Sequence, residues 1–196
     1  MSSAEGYIEA NAQEIADKIL RIANEAKNEE ELRIRVEHTL REVLDRLSIA
    51  WASYEFRTGK GTLVEGKRVD ALYGRVVIEY EKPKTFDTTA GFEKAKKQII
   101  DYIEDLSGKS VELYPKYFGV ALDGFKIGFI RFKRGWEHQG PFDVNKQTVL
   151  KLLEAIRGLR RKPLRADLLN KDLGPESYVA KVVVNVLYQR THCKTI

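Results

Sequence analysis

The 196-residue chain is predicted to fold as an α/β domain around a mixed sheet. Apolar residues recur at helical spacing near both ends and in the middle of the chain. Short runs rich in β-branched and aromatic residues lie between these segments. The two kinds of segment alternate along the chain instead of forming separate blocks, which is typical of the α/β class.

The first part of the chain predicts two helices and then three strands. The first helix covers about residues 8–27 and the second about 29–47. Asn28 followed by Glu31 resembles a capping box at the start of the second helix. Three strands follow, with a turn at Gly74 between the last two: residues 51–57, 68–73 and 75–81.

A long helix and a hairpin are predicted next. The helix covers about residues 89–106, because its apolar residues fall on one face. Residues 117–122 and 125–132 flank Asp123-Gly124, and Asp-Gly between two apolar runs is a strong hairpin signal. The pattern therefore predicts two further strands joined by a tight turn.

The C-terminal part is predicted to be helical. One helix covers about residues 146–158. For residues 175–189, Pro175 suits a first helical position, although the valine run that follows has strand propensity. Helix is favoured there because several valines share one helical face. We therefore divide the chain into a core, residues 1–144, and a C-terminal part, residues 145–196, which is either a helical extension packed on the core or a connector to a further domain.

Composition excludes several classes of protein. Hydrophobic residues make up 43% of the chain, enough for a buried core, and the net charge of +5 is compatible with a polyanionic partner. No apolar stretch approaches the roughly 20 residues needed to span a bilayer. The N-terminus lacks the apolar core of a signal peptide, so we expect a cytoplasmic protein without membrane contact. Cys193 is the only cysteine, which excludes an intramolecular disulfide and argues against a cysteine zinc site.

Three acids lie on two adjacent strands that are otherwise apolar. Side chains alternate along a strand, so Glu79 and Glu81 share one face while Lys82 projects from the other. The tight turn can bring Asp70 opposite the Glu79 region. A hard cation would relieve the repulsion between these charges, and oxygen-only ligation suits magnesium or manganese. The alternative is that the acids are solvated residues on the polar face of an amphipathic hairpin.

This hairpin resembles the PD-(D/E)XK nuclease superfamily, which has the restriction-endonuclease-like fold. The family pattern places an acid on one strand, then an acid, one residue and a lysine on the next. Asp70 and Glu79 match the two acids, and the family's αβββαβ core matches the predicted order from 29 to 122. Glu81 stands at the lysine position and Lys82 follows it. Some members of the superfamily carry glutamate there and remain active.

The resemblance implies a metal-dependent endonuclease that hydrolyses DNA phosphodiester bonds in a restriction or defence system. Asp70, Glu79 and Glu81 would hold Mg²⁺ or Mn²⁺ and carry the catalysis. The alternative is a catalytically silent nucleic-acid-binding or assembly module that retains the fold. Cutting both strands with one site per chain would favour a homodimer. Residues 168–188 loosely resemble the connector helices of fused restriction–modification enzymes, so the chain is expected to be fused to or associated with a methyltransferase.

The resemblance also singles out residues on the helices. Active members often carry an acid on the helix before the sheet, and Glu37 is the candidate here, with Glu31 second; an ordinary exposed glutamate is the alternative. Gln98 and Tyr102 lie one turn apart on the helix after the sheet, where relatives point a polar side chain at the substrate phosphate. Lys97 lies nearby, although a solvated helix face would give the same pattern.

A basic run near the C-terminus is the remaining candidate for nucleic-acid contact. Residues 157–165 contain five positive charges, among them Arg160, Arg161 and Lys162. Such a run can follow a phosphate backbone, and Lys82 and Lys97 would add to it. The alternative is a solvated linker between helices.

Overall fold

The computed structural model describes residues 4–46, 53–57, 68–159, 175, 180 and 184. The chain divides into two compact units, residues 1–160 and 161–196. The first unit contains the sheet and helices described below. None of the helices described is long and apolar enough to cross a membrane.

Six strands form one sheet, and their order in the sheet is their order in the chain. Strands β3 and β4 are parallel, and every other neighbouring pair is antiparallel. A parallel pair needs a crossover connection, which the helix Thr89–Leu106 supplies. The α/β class with a mixed sheet is thereby confirmed. The strand bounds are β1 Ser53–Arg57, β2 Arg68–Tyr73, β3 Val76–Tyr80, β4 Phe118–Leu122, β5 Lys126–Phe132 and β6 Trp136–Asp143.

Helices cover both faces of the sheet. Helix α3 (Thr89–Leu106) packs on one face against a core that includes Val77 and Ala121. The opposite face carries a larger core that includes Ile78 and Val120, because side chains alternate along each strand. Three helices supply the rest of this larger core: α1 (Ala4–Glu25), α2 (Glu29–Arg46) and α4 (Lys146–Leu159).

Local capping explains where α2 begins. The Asn28 Oδ1 accepts a hydrogen bond from the Glu31 N–H at 2.8 Å. The Glu31 carboxylate in turn accepts from the Lys27 N–H at 3.1 Å. These bonds satisfy N–H groups that have no partner within the helix, so the predicted helix start is confirmed.

Two glycines bring α3 close to the sheet. A Cβ atom on Gly119 would lie 2.2 Å from the Ile99 Cγ2, and one on Gly128 would lie 2.2 Å from the Phe92 Cε2. Any larger residue at these positions would push the helix outward. The close approach places the polar residues of α3 over β3, where the acids lie.

The predicted Asp123-Gly124 hairpin is confirmed and has an additional role. Gly124 has φ +85°, a conformation that favours glycine. The buried Asp123 carboxylate accepts hydrogen bonds from three backbone N–H groups, those of Phe86, Phe125 and Lys126, at 2.7–3.0 Å. Phe86 lies between β3 and α3, so Asp123 ties the connection near the candidate site to the β4–β5 turn.

The second half of the chain contains a strand that the sequence did not reveal. Strand β6 (Trp136–Asp143) was not predicted, and its Trp136 ring stacks on Tyr114 with centroids 5.5 Å apart. Helix α4, which lies within the part predicted as an extension from 145, belongs to the first unit and packs on α1. Apart from Pro175, Ala180 and Val184, the predicted helix 175–189 lies outside the described residues.

Candidate functional site

The site lies where β2 and β3 separate. Their pairing runs from Tyr73↔Val76 to Ala71↔Ile78, and the next pair would be Asp70 and Glu79. At that point the Asp70 side chain replaces a backbone partner, because its Oδ2 accepts a hydrogen bond from the Tyr80 N–H at 2.9 Å. The Asp70 carboxylate is therefore fixed at the end of the hairpin ladder.

Glu79 is the most deeply buried acid of the site, at 5% exposure. Its Oε1 accepts a hydrogen bond from the Gln98 Nε2 at 2.8 Å. Among the described residues, its Oε2 finds no donor, and the buried Gln98 Oε1 has no partner either. Burial, followed by the negative charges of Asp70 and Glu81, raises the pKa of Glu79 to about 9. The positive charge of Lys94 lowers this pKa but is outweighed by burial and by the neighbouring acids.

Glu81 shares the face of Glu79, as predicted from strand alternation. The Glu81 N–H donates to the Leu122 carbonyl at 3.0 Å, which continues the ladder with β4 beyond the end of β3. The buried Glu81 carboxylate lies 3.4 Å from the Nζ of Lys94, whose side chain is 68% exposed. Lys82 is also exposed and follows Glu81 on the chain. The lysine that meets Glu81 thus comes from α3 and not from the strand.

Glu29 is a fourth acid that sequence reasoning missed. It is the first residue of α2 and is exposed. Burial of its carboxyl group and then the charges of Asp70 and Glu81 raise its pKa, while Lys94 lowers it. The available signal was the run of three acids that opens α2, where acids favour the helix N-terminus whether or not they serve a site. We call Glu29, Asp70, Glu79 and Glu81 the carboxylate cluster.

Tyr102 and Gln98 lie over the carboxylate cluster on α3, as the sequence predicted for that helix face. Tyr102 is buried, and burial followed by the charge of Glu79 raises its pKa. Its hydroxyl therefore stays protonated and can donate a hydrogen bond. Lys97, on the same helix, is exposed. Arg160, Arg161 and Lys162 lie outside the described residues.

Glu37 binds two tyrosines of the β2–β3 hairpin. Its buried carboxylate accepts hydrogen bonds from the hydroxyls of Tyr73 and Tyr80, and the second has a length of 2.5 Å. Both tyrosines face the larger core, on the opposite side of the sheet from Glu79. Burial and then the charge of Glu37 raise the pKa of Tyr80, which keeps that hydroxyl protonated. Glu37 is thus bonded on the side of the sheet opposite Glu79, and its role as a site acid stays a prediction. Glu31, the second choice, caps α2 instead.

The side-chain oxygens of the carboxylate cluster and of Gln98 are the possible ligands of a cation at this site. In the part of the chain that the structure describes, no group of three or more Asp, Glu, His or Cys side chains is already arranged to hold a metal ion. Asp70 is engaged by a backbone N–H, Glu79 by Gln98 and Glu81 by Lys94. The chemistry nevertheless fits a hard cation, because Glu79 Oε2 and Gln98 Oε1 are buried oxygens without donors and Mg²⁺ prefers oxygen ligands.

Comparison of the chain with protein-family models, curated proteins and solved structures gives no significant match.

Proposed function

We propose that this domain is a metal-dependent nuclease of the PD-(D/E)XK type that hydrolyses DNA phosphodiester bonds. One observation carries the proposal: Glu79, a buried carboxyl group with an unpartnered oxygen, is surrounded by three further acids where two strands separate. The order of elements from α2 to β4, with β3 and β4 parallel, agrees with the core that the resemblance implies.

Four residues of the site have a role in the proposed reaction: Asp70, Glu79, Glu81 and Gln98. A divalent cation, when bound, neutralises charge on the phosphate and makes water a better nucleophile. Asp70 and Glu79 would hold it, and Glu81 would either complete its ligands or act as the general base. Gln98 orients the Glu79 carboxylate by donating to Oε1, and Oε2 has no donor among the described residues.

The exposed residues define the side from which a phosphate would enter. Glu79 and Glu81 are buried, whereas Glu29 and Lys94 are exposed. Lys94 carries a positive charge at this mouth, beside Glu81, and would attract the DNA backbone. The homodimer and the association with a methyltransferase stay predictions.

A second candidate is the catalytically silent module that binds nucleic acid or assembles with other chains. The observation that favours it is the replacement of the family lysine by Glu81, together with an exposed Lys82. Under this proposal the domain would bind DNA and leave it intact.

A nicking assay separates the two candidates. Supercoiled plasmid and a matched RNA are incubated with the intact chain and Mg²⁺, Mn²⁺ or a chelator. We expect cleavage of DNA that requires the cation and is lost in Asp70→Asn, which keeps an acceptor oxygen for the Tyr80 N–H. Glu93→Gln is the matched control, because Glu93 is an acid of α3 that pairs with Lys96 and not with the carboxylate cluster. Intact DNA with either metal would favour the silent module, and cleavage that survives chelation would refute the metal-dependent mechanism.

A further inference from the structure

A buried hydrogen-bonded group lies behind the candidate site, on the other face of the sheet. It consists of the Glu37 carboxylate on α2, which is 4% exposed, and the hydroxyls of Tyr73 on β2 and Tyr80 on β3. Removing a carboxylate from water is costly unless hydrogen bonds replace the lost hydration. The two phenol hydroxyls provide such bonds, and each one joins α2 to a different strand of the hairpin.

Tyr80 connects this group to the carboxylate cluster. Its side chain is fully buried and donates to Glu37, while its backbone N–H donates to the Asp70 Oδ2 at 2.9 Å. Its neighbours in the chain are Glu79 and Glu81. A movement of Tyr80 would therefore displace three of the four acids of the cluster.

Helix α2 provides a second connection. Glu37 follows Glu29 by eight residues on this helix, which is about 12 Å along its axis at about 1.5 Å per residue. The charges of Asp70 and Glu81 act on Glu29 at the start of this helix and raise its pKa. Anchoring α2 to β3 through Glu37 thus also sets how far Glu29 stands from the other acids.

We propose that Glu37 is a positioning residue, which acts through the Tyr80 hydroxyl to hold the Tyr80 backbone and Asp70 in the geometry that the carboxylate cluster needs. The proposal rests on the proposed function, because that function is what requires this geometry. The positioning itself is a property of the protein without metal or substrate. Residues that orient metal ligands from behind commonly change metal affinity about 10- to 100-fold when they are altered.

The two tyrosines offer a matched pair of variants. Tyr80→Phe and Tyr73→Phe each remove one buried hydroxyl from the same carboxylate. The backbone N–H of Tyr80 also donates to Asp70, whereas Tyr73 lies three residues from Asp70 along β2, at the turn end of the hairpin. A group that affects only overall stability would change the residue-80 amide no more than the β4 amides in either variant.

The first measurement is amide hydrogen exchange in the intact chain by NMR. We expect Tyr80→Phe to speed exchange at the residue-80 amide by about 5-fold relative to the β4 amides, which corresponds to the loss of one ordinary hydrogen bond. Tyr73→Phe should leave this ratio unchanged at a similar loss of overall stability. Glu37→Ala should reproduce Tyr80→Phe, and Glu37→Gln, which keeps an acceptor oxygen, should restore part of the ratio. Glu37→Gln also provides the test if the Tyr80 variant does not fold.

The second measurement is Mn²⁺ affinity by calorimetry. We expect Tyr80→Phe to weaken binding about 10-fold or more and Tyr73→Phe to change it little. Equal effects of the two tyrosine variants on the amide ratio, or no effect of either, would overturn the proposal. If the parent protein binds no Mn²⁺, the proposed function fails, while the amide ratio still decides whether Glu37 positions Asp70.

Discussion

Glu37 and Glu79 are both buried carboxyl groups, and they lie on opposite faces of the same sheet. Glu37 accepts hydrogen bonds from two tyrosine hydroxyls. Glu79 accepts one from Gln98, keeps an oxygen without a donor and has three other acids as neighbours. The fold supplies hydrogen-bond donors to both carboxylate oxygens of Glu37 but leaves one oxygen of Glu79 without a donor. Groups with a strongly perturbed pKa, such as Glu79, concentrate at functional sites.

The strongest test of this comparison is the loss of Glu81 from the unbalanced face. Glu81→Ala should lower the rate of DNA cleavage by about 10²- to 10⁴-fold, the usual range for a lost general acid or base. Lys82→Ala should cost much less, because Lys82 is exposed and strand alternation predicts that it projects away from Glu79. Rates are compared at saturating Mg²⁺ or Mn²⁺, with folding checked by circular dichroism.

Glu81→Lys is the informative companion to this pair. It restores the family arrangement and should retain part of the activity, although the added positive charge would weaken cation binding. An inactive Lys82→Ala together with an active Glu81→Ala would contradict the assignment of Glu81 to the lysine position.

The protonation of Glu79 gives the next largest effect. Its pKa is raised from 4.5 to about 9 in the folded protein, so the unfolded chain loses this proton first as pH rises. The folded state then binds more protons, and stability must fall with rising pH across this window. For one proton the slope is about 1.4 kcal/mol per pH unit. Glu79→Gln should remove this slope, as measured by urea unfolding without metal from about pH 6 to about pH 8.

Glu37→Gln supplies the contrast in the same experiment. It should lower stability by about 2 kcal/mol, because hydrogen bonds to a charged acceptor are replaced by weaker ones. It should leave the slope in place. An unchanged slope in Glu79→Gln would mean that Glu79 is already ionised in the folded parent protein. The surroundings of Glu79 would then stabilise its charge as those of Glu37 do. Added Mg²⁺ should flatten the slope of the parent protein by binding the ionised carboxylate.

The sequence predicted the elements whose boundaries are set locally. Strand β2 and helix α3 have the predicted bounds. The helix begins directly after Thr88, whose side chain accepts a hydrogen bond from the Gly91 N–H. Strand alternation likewise placed Glu79 and Glu81 on one face. These features depend on neighbouring residues and on the two-residue period of a strand, both of which can be read from the chain.

Features that depend on tertiary structure were not predicted. Strand β6 is an edge strand with mostly exposed residues and contains Gly140 and Pro141, so it lacks the alternating apolar pattern that marks a half-buried strand. The bonds of Glu37 to Tyr73 and Tyr80 were not foreseen either, because they join a helix to two strands. The separation of β2 and β3 at Asp70 was also missed, because a turn sets the register of a hairpin but not where its ladder ends.

Glu29 gives the smallest expected effect, because it is exposed at the mouth of the site. Solvent and salt screen an exposed charge, so its share of cation attraction is modest and falls as ionic strength rises. Glu29→Gln should therefore weaken Mn²⁺ binding only about 2- to 5-fold at low salt, in line with exposed pairs worth up to about 1 kcal/mol. At high salt the difference from the parent protein should nearly vanish.

Glu30→Gln is the matched control. Glu30 is the next acid at the same helix start, and it is not among the main causes of the raised pKa of Glu79. A loss for Glu29→Gln that is as large as that for Asp70→Asn and insensitive to salt would mean that Glu29 ligates the cation directly. In that case α2 supplies both a ligand at its first turn and the anchor at Glu37, and the two faces of the sheet are coupled through one helix.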